Sequence, residues 1–334
     1  MNAPNSDKGH VALVERGSGR IQVDVVLCTF NGARFLAAQL ESIERQARQP
    51  DRVRVFDDGS TDGTLAILAR FKSRLLLDVS VNASRLGASQ NFSRALARAD
   101  ADVVFLCDQD DVWRPDKVAC QLALLDGGPR GLLACSDARL IDAEGALLAG
   151  SLLARLGASA AARWDSGALQ AALLKRNLIT GATCAVRRDL LSLALPVPAG
   201  VWHDEWLALV AASCDGIVWA DHPLIDYRLH GGNAAGIDQV GTAATFAALG
   251  SDARAFQRAK AVKLAQLAGV LRSSSGRVVP DRLAMVEAAA EHWRTRAGRP
   301  AWGQGRLRAV IAELRAGRYA RFGAGWRSAL NDLR

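Results

Sequence analysis

Three stretches of this 334-residue sequence set acidic side chains where they can do chemistry. Asp108-Gln109-Asp110 closes the apolar run Val103-Val104-Phe105-Leu106. Two carboxylates one residue apart can share a divalent cation and a polyol through hard oxygen ligands. The pattern is cheap, because a D-x-D arises about once by chance in a chain this long. Its plainer explanation is a solvated loop capping the next helix, a role open to Asp111 or Asp116 beside Trp113 and Pro115. Asp57-Asp58-Gly59-Ser60-Thr61-Asp62-Gly63 follows a second apolar run, and its glycines permit a tight turn. A carboxylate there can accept the imide N–H that uracil and thymine possess and other common bases lack; the alternative is an ordinary turn with Asp62 as N-cap. Trp202-His203-Asp204-Glu205-Trp206 opens a helical pattern after Pro196, Pro198 and Gly200, where acids also simply suit the first turn of a helix.

The elements that must hold these groups are legible as an alternation. Val23 to Leu27, Val53 to Phe56, Leu75 to Val79 and Val103 to Leu106 are β-branched or apolar runs, while Phe35 to Arg48, Thr64 to Phe71 and Ser89 to Arg98 carry helical spacing. Such alternation predicts an α/β fold, a mostly parallel sheet covered by helices. Ligands bind such sheets at the carboxyl ends of the strands. Thr29-Phe30-Asn31-Gly32, Asp57 to Ser60 and Asp108 to Asp111 therefore share one rim. From Ser136 to Tyr227 the pattern is mixed, with short strands around Ile179 to Val186 and Ile217 to Trp219 and a helix starting near His203. Beyond Gly236 the chain is Ala/Arg/Leu-rich and helical, broken at Ser273 to Gly276 and Gly298 to Pro300.

Charge separates the same regions. Residues 251–334 hold seventeen Lys/Arg against six Asp/Glu, a net of +11, so the remainder of a chain of net +8 is about −3. The tail has no nucleic-acid motif and no aromatic stacking platform, which excludes nucleic acid as the expected partner. Leu307, Val310, Ile311, Leu314, Phe322, Trp326, Leu330 and Leu333 recur at spacings of three and four between arginines. That stripe either lies on an anionic membrane surface or packs on the rest of the chain. Six cysteines without a C-x-x-C pair, and an N-terminus (1–20) read as a flexible polar tail, predict a reducing, cytoplasmic location. No apolar run approaches the roughly 18 residues of a membrane span.

Taken in order, V-V-L-C-T-F-N-G, V-F-D-D-G-S-T-D-G-T, N-x4-G-x3-N-F from Asn82 to Phe92, F-L-C-D-Q-D-D-V-W-x-P-D-K, H-D-E-W and Y-R-L-H-G-G-N resemble the family 2 inverting glycosyltransferases of GT-A fold. The D-Q-D-D-V-W version is most similar to bacterial rhamnosyltransferases. The likeness covers residues 21–236, divided into a nucleotide-binding half (21–125) and an acceptor half (126–236), with a basic helical region at 237–334. It implies a nucleotide pocket of Thr29, Phe30, Asn31, Asp57 and Asp58, with Arg85 at the phosphates and Asp108 on ribose or donor sugar. It places Asp110 on Mg²⁺ or Mn²⁺, and an imidazole such as His230 suits the metal or the diphosphate. Asp204 falls on the general base, with Glu205 as the alternative because His203 replaces the more usual Glu. Trp113, Trp202, His203 and Trp206 fall on the acceptor side, where indoles can stack on sugar rings.

The implied activity is transfer of L-rhamnose from dTDP-L-rhamnose, or of a hexose from a UDP-sugar, to a glycan or lipid-linked acceptor in bacterial surface polysaccharide synthesis. The place is the cytoplasm or the inner face of the membrane. Two rivals are a haloacid-dehalogenase-like phosphohydrolase using Asp108 and Asp110, and a sugar-nucleotide-binding protein without turnover. The phosphohydrolase motif normally follows the first core strand and needs a later Gly-Asp, whereas three strand-like segments precede Asp108 and the sequence has no Gly-Asp.

Overall fold

The computed structural model describes residues 20–128, 130–158, 166–232, 253–274, 276–300 and 302–333. The expected flexible tail, apart from Arg20, and Asn233 of the last motif lie outside the described residues. Val23–Thr29 (β1), Arg52–Asp57 (β2), Leu77–Val81 (β3) and Val103–Cys107 (β4) run parallel, with Leu36–Glu44 (α1), Thr64–Phe71 (α2) and Ala88–Leu96 (α3) as their crossovers. β1 and β4 are buried on both faces, so they read as continuous apolar runs rather than as alternation. β3 begins two residues later than its apolar run suggests. The Leu75 N–H is spent on Phe71 O, closing the turn after α2, and only then is the chain free to extend.

The second half adds Val112–Trp113 (β5), Lys117–Asp126 (α4), Leu133–Cys135 (β6), Ala138–Ile141 (β7), Leu147–Ser151 (β8), Leu152–Arg155 (α5) and Ser166–Lys175 (α6). Ala185–Arg187 (β9), Arg188–Ala194 (α7), His203–Ser213 (α8), Ile217–Trp219 (β10) and Ile225–Arg228 (β11) follow. The central sheet has the order β10-β6-β9-β4-β1-β2-β3 and is parallel except for β9, which runs against β4 and β6. A second sheet, β5-β11-β7-β8, has no counterpart in the sequence reading. Its antiparallel β5–β11 ladder pairs Val112 with Asp226 and Trp113 with Ile225, laying the segment after β4 beside residues 228–230.

The basic region forms Ala253–Ser273 (α9), Pro280–Gly298 (α10), Gln304–Arg315 (α11), Arg318–Phe322 (α12) and Trp326–Leu333 (α13), with breaks at the expected places. Leu264, Leu267 and Leu271 of α9 and Val286 and Trp293 of α10 join the same apolar core as β1, β4 and α8, so α9 and α10 are anchored to the sheet region. All six cysteines are free. No described helix is long and apolar enough to cross a membrane.

Candidate active site

The rim is built by hydrogen bonds between loops that leave neighbouring strands. Asp57, fully buried at the end of β2, accepts from Thr29 Oγ1 (2.8 Å), Gly59 N (3.1 Å), Ser60 N (2.8 Å) and Ser60 Oγ (2.5 Å). Both its oxygens are occupied by the turn itself, which corrects the expectation that Asp57 contacts the donor: it is the post that shapes the loop. Gly59 takes φ +83°, open to glycine at little cost. Asn31, at φ 47°, donates its N–H to Ser60 Oγ and accepts from Thr61 N, stitching the first loop to the second.

Asp58 points the other way. Its Oδ1 accepts from Asn82 Nδ2 and Leu86 N and its Oδ2 from Gly87 N, each at 2.8 Å. A carboxylate has about four acceptor sites, so Oδ2 retains capacity for one more donor. The ordered loop sets the Arg85 guanidinium 3.9 Å from the centre of the half-buried Phe30 ring. The cation therefore sits above the ring and within the pocket assigned to the nucleotide.

Gln109, the unassigned middle residue of the D-x-D, is the link that sequence reasoning missed. Its Oε1 accepts from Phe30 N (2.9 Å) and its Nε2 donates to Phe30 O (3.1 Å), clamping the first loop to the acidic turn. Gly32 lies so close that a Cβ there would sit 2.1 Å from Gln109 Oε1. A glutamine between two aspartates carries no sequence signal of this role.

Asp108, Asp110 and Asp111 leave β4 together. Burial, with Asp110 and Asp204 adding negative charge, pushes the Asp108 carboxyl up to about 8. Asp110 Oδ2 is 2.8 Å from His230 Nε2, although 120 residues separate them; the β5–β11 ladder supplies the proximity. Asp111 is no helix cap: its Oδ1 accepts from Arg228 N, while the Arg228 guanidinium donates to the carbonyls of Asp110, Asp142 and Ala143. The buried Tyr227 hydroxyl is pushed up by burial and then by Asp111, Asp108, Asp110 and Asp204, which places all four acids in one neighbourhood.

Asp204 and Glu205 occupy the first turn of α8. Asp204 accepts from Gly181 N (3.3 Å) and Glu205 N (2.6 Å), and burial pushes its carboxyl up to about 6 against the opposing pull of a hydrogen bond from Asn177. Glu205 is instead engaged by Lys263 of α9. His203 is buried and stacked on Phe92 with 4.1 Å between ring centres, and burial pushes it down to about 3, so its ring is neutral. Trp113 is 3% exposed, packed on Phe105 and Lys117, and Trp206 is 0% exposed, its indole N–H donated to Ala194 O. Neither ring has an open face for a sugar, which corrects their assignment to the acceptor side. Trp202, 42% exposed, is the one predicted tryptophan with a free surface.

A cation fits the rim by charge, since Asp110 and Asp204 add to the burial that already pushes the Asp108 carboxyl up to about 8. Asp110 and His230 offer an oxygen and a nitrogen, and Mg²⁺ sites commonly use one or two protein ligands completed by substrate phosphates. Another group with metal-ligand geometry is Asp116, Cys120 and His222, whose ligand atoms lie within 4.8 Å of one another. It lies at the opposite end of the β5–β11 register from Asp110, and its thiol is a poor ligand for Mg²⁺ or Mn²⁺.

Comparison with known proteins bears on the family and the fold. The family described as "Glycosyl transferase family 2" matches residues 24–189. The chain is 34% identical over 109 residues to "Putative glycosyltransferase EpsE" of Bacillus subtilis, covering 31% of this chain and 38% of that protein. It is 32% identical over 98 residues to "dTDP-rhamnosyl transferase RfbG" of Shigella flexneri, covering 28% and 34%. These matches span little more than a third of the relatives' length. Among solved structures, Staphylococcus aureus TarS 1–349 in complex with UDP-GlcNAc superposes with a TM-score of 0.54 at 17% identity, covering 90% of this chain and 89% of that one. The likeness is one of fold, of GT-A type.

Proposed function

The chain belongs to glycosyl transferase family 2, and from that premise we propose that it is an inverting, cation-dependent glycosyltransferase acting on a nucleoside diphosphate sugar. One observation carries the reading: acids from the end of β4 and from the start of α8 share a neighbourhood, and Asp204, which makes no salt bridge among the described residues, is poised at about 6. A general base works best with a pKa near the operating pH, and a positioned carboxylate contributes typically 10²- to 10⁴-fold.

The acceptor hydroxyl gives its proton to Asp204 as its oxygen bonds to the anomeric carbon. The bond from that carbon to the diphosphate oxygen breaks with its electron pair leaving on the diphosphate, so the configuration inverts. Asp110 and His230 would hold Mg²⁺ or Mn²⁺, which would supply Lewis-acid neutralisation of charge on the leaving group. Asp58 accepts the imide N–H of the base, Phe30 and Arg85 flank the nucleotide, Asp108 binds ribose or donor sugar, and Trp202 meets the acceptor. The donor is dTDP-L-rhamnose or a UDP-hexose, a choice supported by the likeness to a dTDP-rhamnosyl transferase and to a UDP-GlcNAc-binding fold. The acceptor is a bacterial surface glycan or its lipid-linked precursor, met at the inner face of the membrane.

The test is a screen of dTDP- and UDP-sugars for nucleoside diphosphate release, with and without Mn²⁺, with Asp204→Asn alongside. Cation-dependent release from one donor that collapses in the variant supports the reading; release indifferent to the substitution overturns it.

A further inference from the structure

We propose that the exposed face of α11 to α13 is a docking surface for an anionic lipid bilayer. The C-terminal stripe divides in the structure. Val310 and Phe322 turn inward, while Leu307, Ile311 and Leu314 of α11 and Trp326, Leu330 and Leu333 of α13 are exposed, with Trp302 just before α11 at 83%. Monomeric surfaces scatter large apolar side chains singly, and a group of seven from one short segment marks an interaction site.

The two helices repeat one arrangement. At about 100° per residue, Leu307, Ile311 and Leu314 fall within about 60° of arc beside the buried Val310, and Trp326, Leu330 and Leu333 do the same beside the buried Ala329. Next round the helix come Arg308 and Arg315 on α11 and Arg327 on α13. Val310, Tyr319 and Ala329 pack into one cluster, so both stripes border a shared inner face.

Charge selects the occupant. Residues 302–333 contain six arginines and two acids, Glu313 and Asp332. Both acids are buried: Glu313 faces His292 and Arg318, and Asp332 faces Arg296, Arg299 and Tyr319. The outward charge of the segment is therefore arginine alone, and Arg308, Arg315 and Arg327 make no salt bridge among the described residues. Two copies meeting here would set arginine against arginine. An apolar stripe rimmed by cations is instead complementary to anionic headgroups above acyl chains. This deepens the membrane part of the proposed function, and it rests on none of the catalytic assignments.

The experiment is sedimentation of the full chain with vesicles of phosphatidylcholine alone or with about a third phosphatidylglycerol. Two triple variants accompany it, Trp302→Ser/Leu307→Ser/Trp326→Ser and Arg308→Ala/Arg315→Ala/Arg327→Ala. The expected result is binding to the mixed vesicles at least about tenfold tighter than to phosphatidylcholine, lost in high salt and reduced at least about tenfold in both variants. Thermal melting and nucleoside diphosphate release in detergent-free buffer stay as in wild type, because every altered side chain is exposed and none belongs to the rim. Equal binding to both vesicle types, no binding, or unchanged binding by the variants overturns the proposal. So does a wild-type dimer that the serine variant dissociates, which would give the face to a second copy. Lipid binding without donor turnover would leave this surface standing and defeat the catalytic reading, and the converse would do the opposite.

Discussion

Lys263 of α9 closes a salt bridge on Glu205, while Asp204, its neighbour in the same helical turn, is met only by hydrogen-bond donors among the described residues. The C-terminal region thereby distinguishes the two acids of the H-D-E-W motif, Asp204 as the expected base and Glu205 as its alternative. One is tied to a cation; the other is buried without a counter-charge.

Substitution separates them. Asp204→Asn lowers kcat by about 10²- to 10⁴-fold with little change in KM. Glu205→Gln leaves Lys263 without its partner and lowers stability by on the order of 1–3 kcal/mol while sparing kcat at a temperature where the variant is folded. Steady-state kinetics beside a thermal melt decide, and an Asp204→Asn enzyme with near-normal kcat would remove it as the base.

The pH dependence follows from the same burial. The Asp204 carboxyl, pushed up to about 6 from an ordinary 3.8, accepts a proton only when ionised. Activity therefore falls about tenfold per pH unit below about 6 and is level just above it. Glu205→Gln keeps this acid limb. A limb centred near 4 would mean that the working base is a solvated carboxylate and not Asp204.

Asp57 and Asp58 are adjacent but answer differently. Asp57→Ala removes the acceptor for four donors in a buried turn, so its signature is a lower melting temperature. Asp58→Ala releases the loop that carries Leu86 and Gly87, so it raises the donor KM by about tenfold or more at nearly constant kcat. Equal effects of the two on KM alone would contradict the division.

Gly32 and Gln109 give a test of non-additivity. Gly32→Ala drives a methyl into Gln109 Oε1 and Gln109→Ala unpairs the Phe30 backbone, each expected to cost roughly 1–3 kcal/mol. In the double variant the clash has no partner left, so its loss is smaller than the sum of the singles. Strict additivity in urea unfolding would show that the two residues do not meet.

The rim was legible in sequence because buried parallel strands announce themselves as β-branched runs, and in such sheets the residues after each strand must face ligand. Thr64 to Phe71 and Ile217 to Trp219 were visible to the residue for the same reason of clean patterning. The second sheet was not, since β5 has two residues and β7 carries Arg139, paired to Asp226 across the ladder. Without it nothing in the chain joins Asp110 to His230 except resemblance. Trp206 misled because α8 is apolar on every side after its first turn, so spacing cannot tell which face is open. Gln109 was hidden because its partners are backbone atoms, which leave no mark on residue type.

Removal of metal is the sharpest test of the rim as a whole. On the proposed reading Asp110 and His230 would hold the cation with few protein ligands, so it would bind weakly in the absence of substrate. Chelation should abolish nucleoside diphosphate release, and Mn²⁺ should restore it. His230→Ala should raise the Mn²⁺ needed for half-maximal rate by about 10- to 100-fold, as loss of a ligand or of its orienting partner does. Asp110→Ala should leave a rate that added Mn²⁺ does not rescue. Asp116→Ala and His222→Ala probe the other metal-capable group, whose thiol suits softer ions, and should leave the Mn²⁺ response unchanged. If instead the chelated enzyme works at full rate, the cluster at Asp110 works without a cation, and Asp108, pushed up to about 8 chiefly by burial, meets the substrate as the neutral acid.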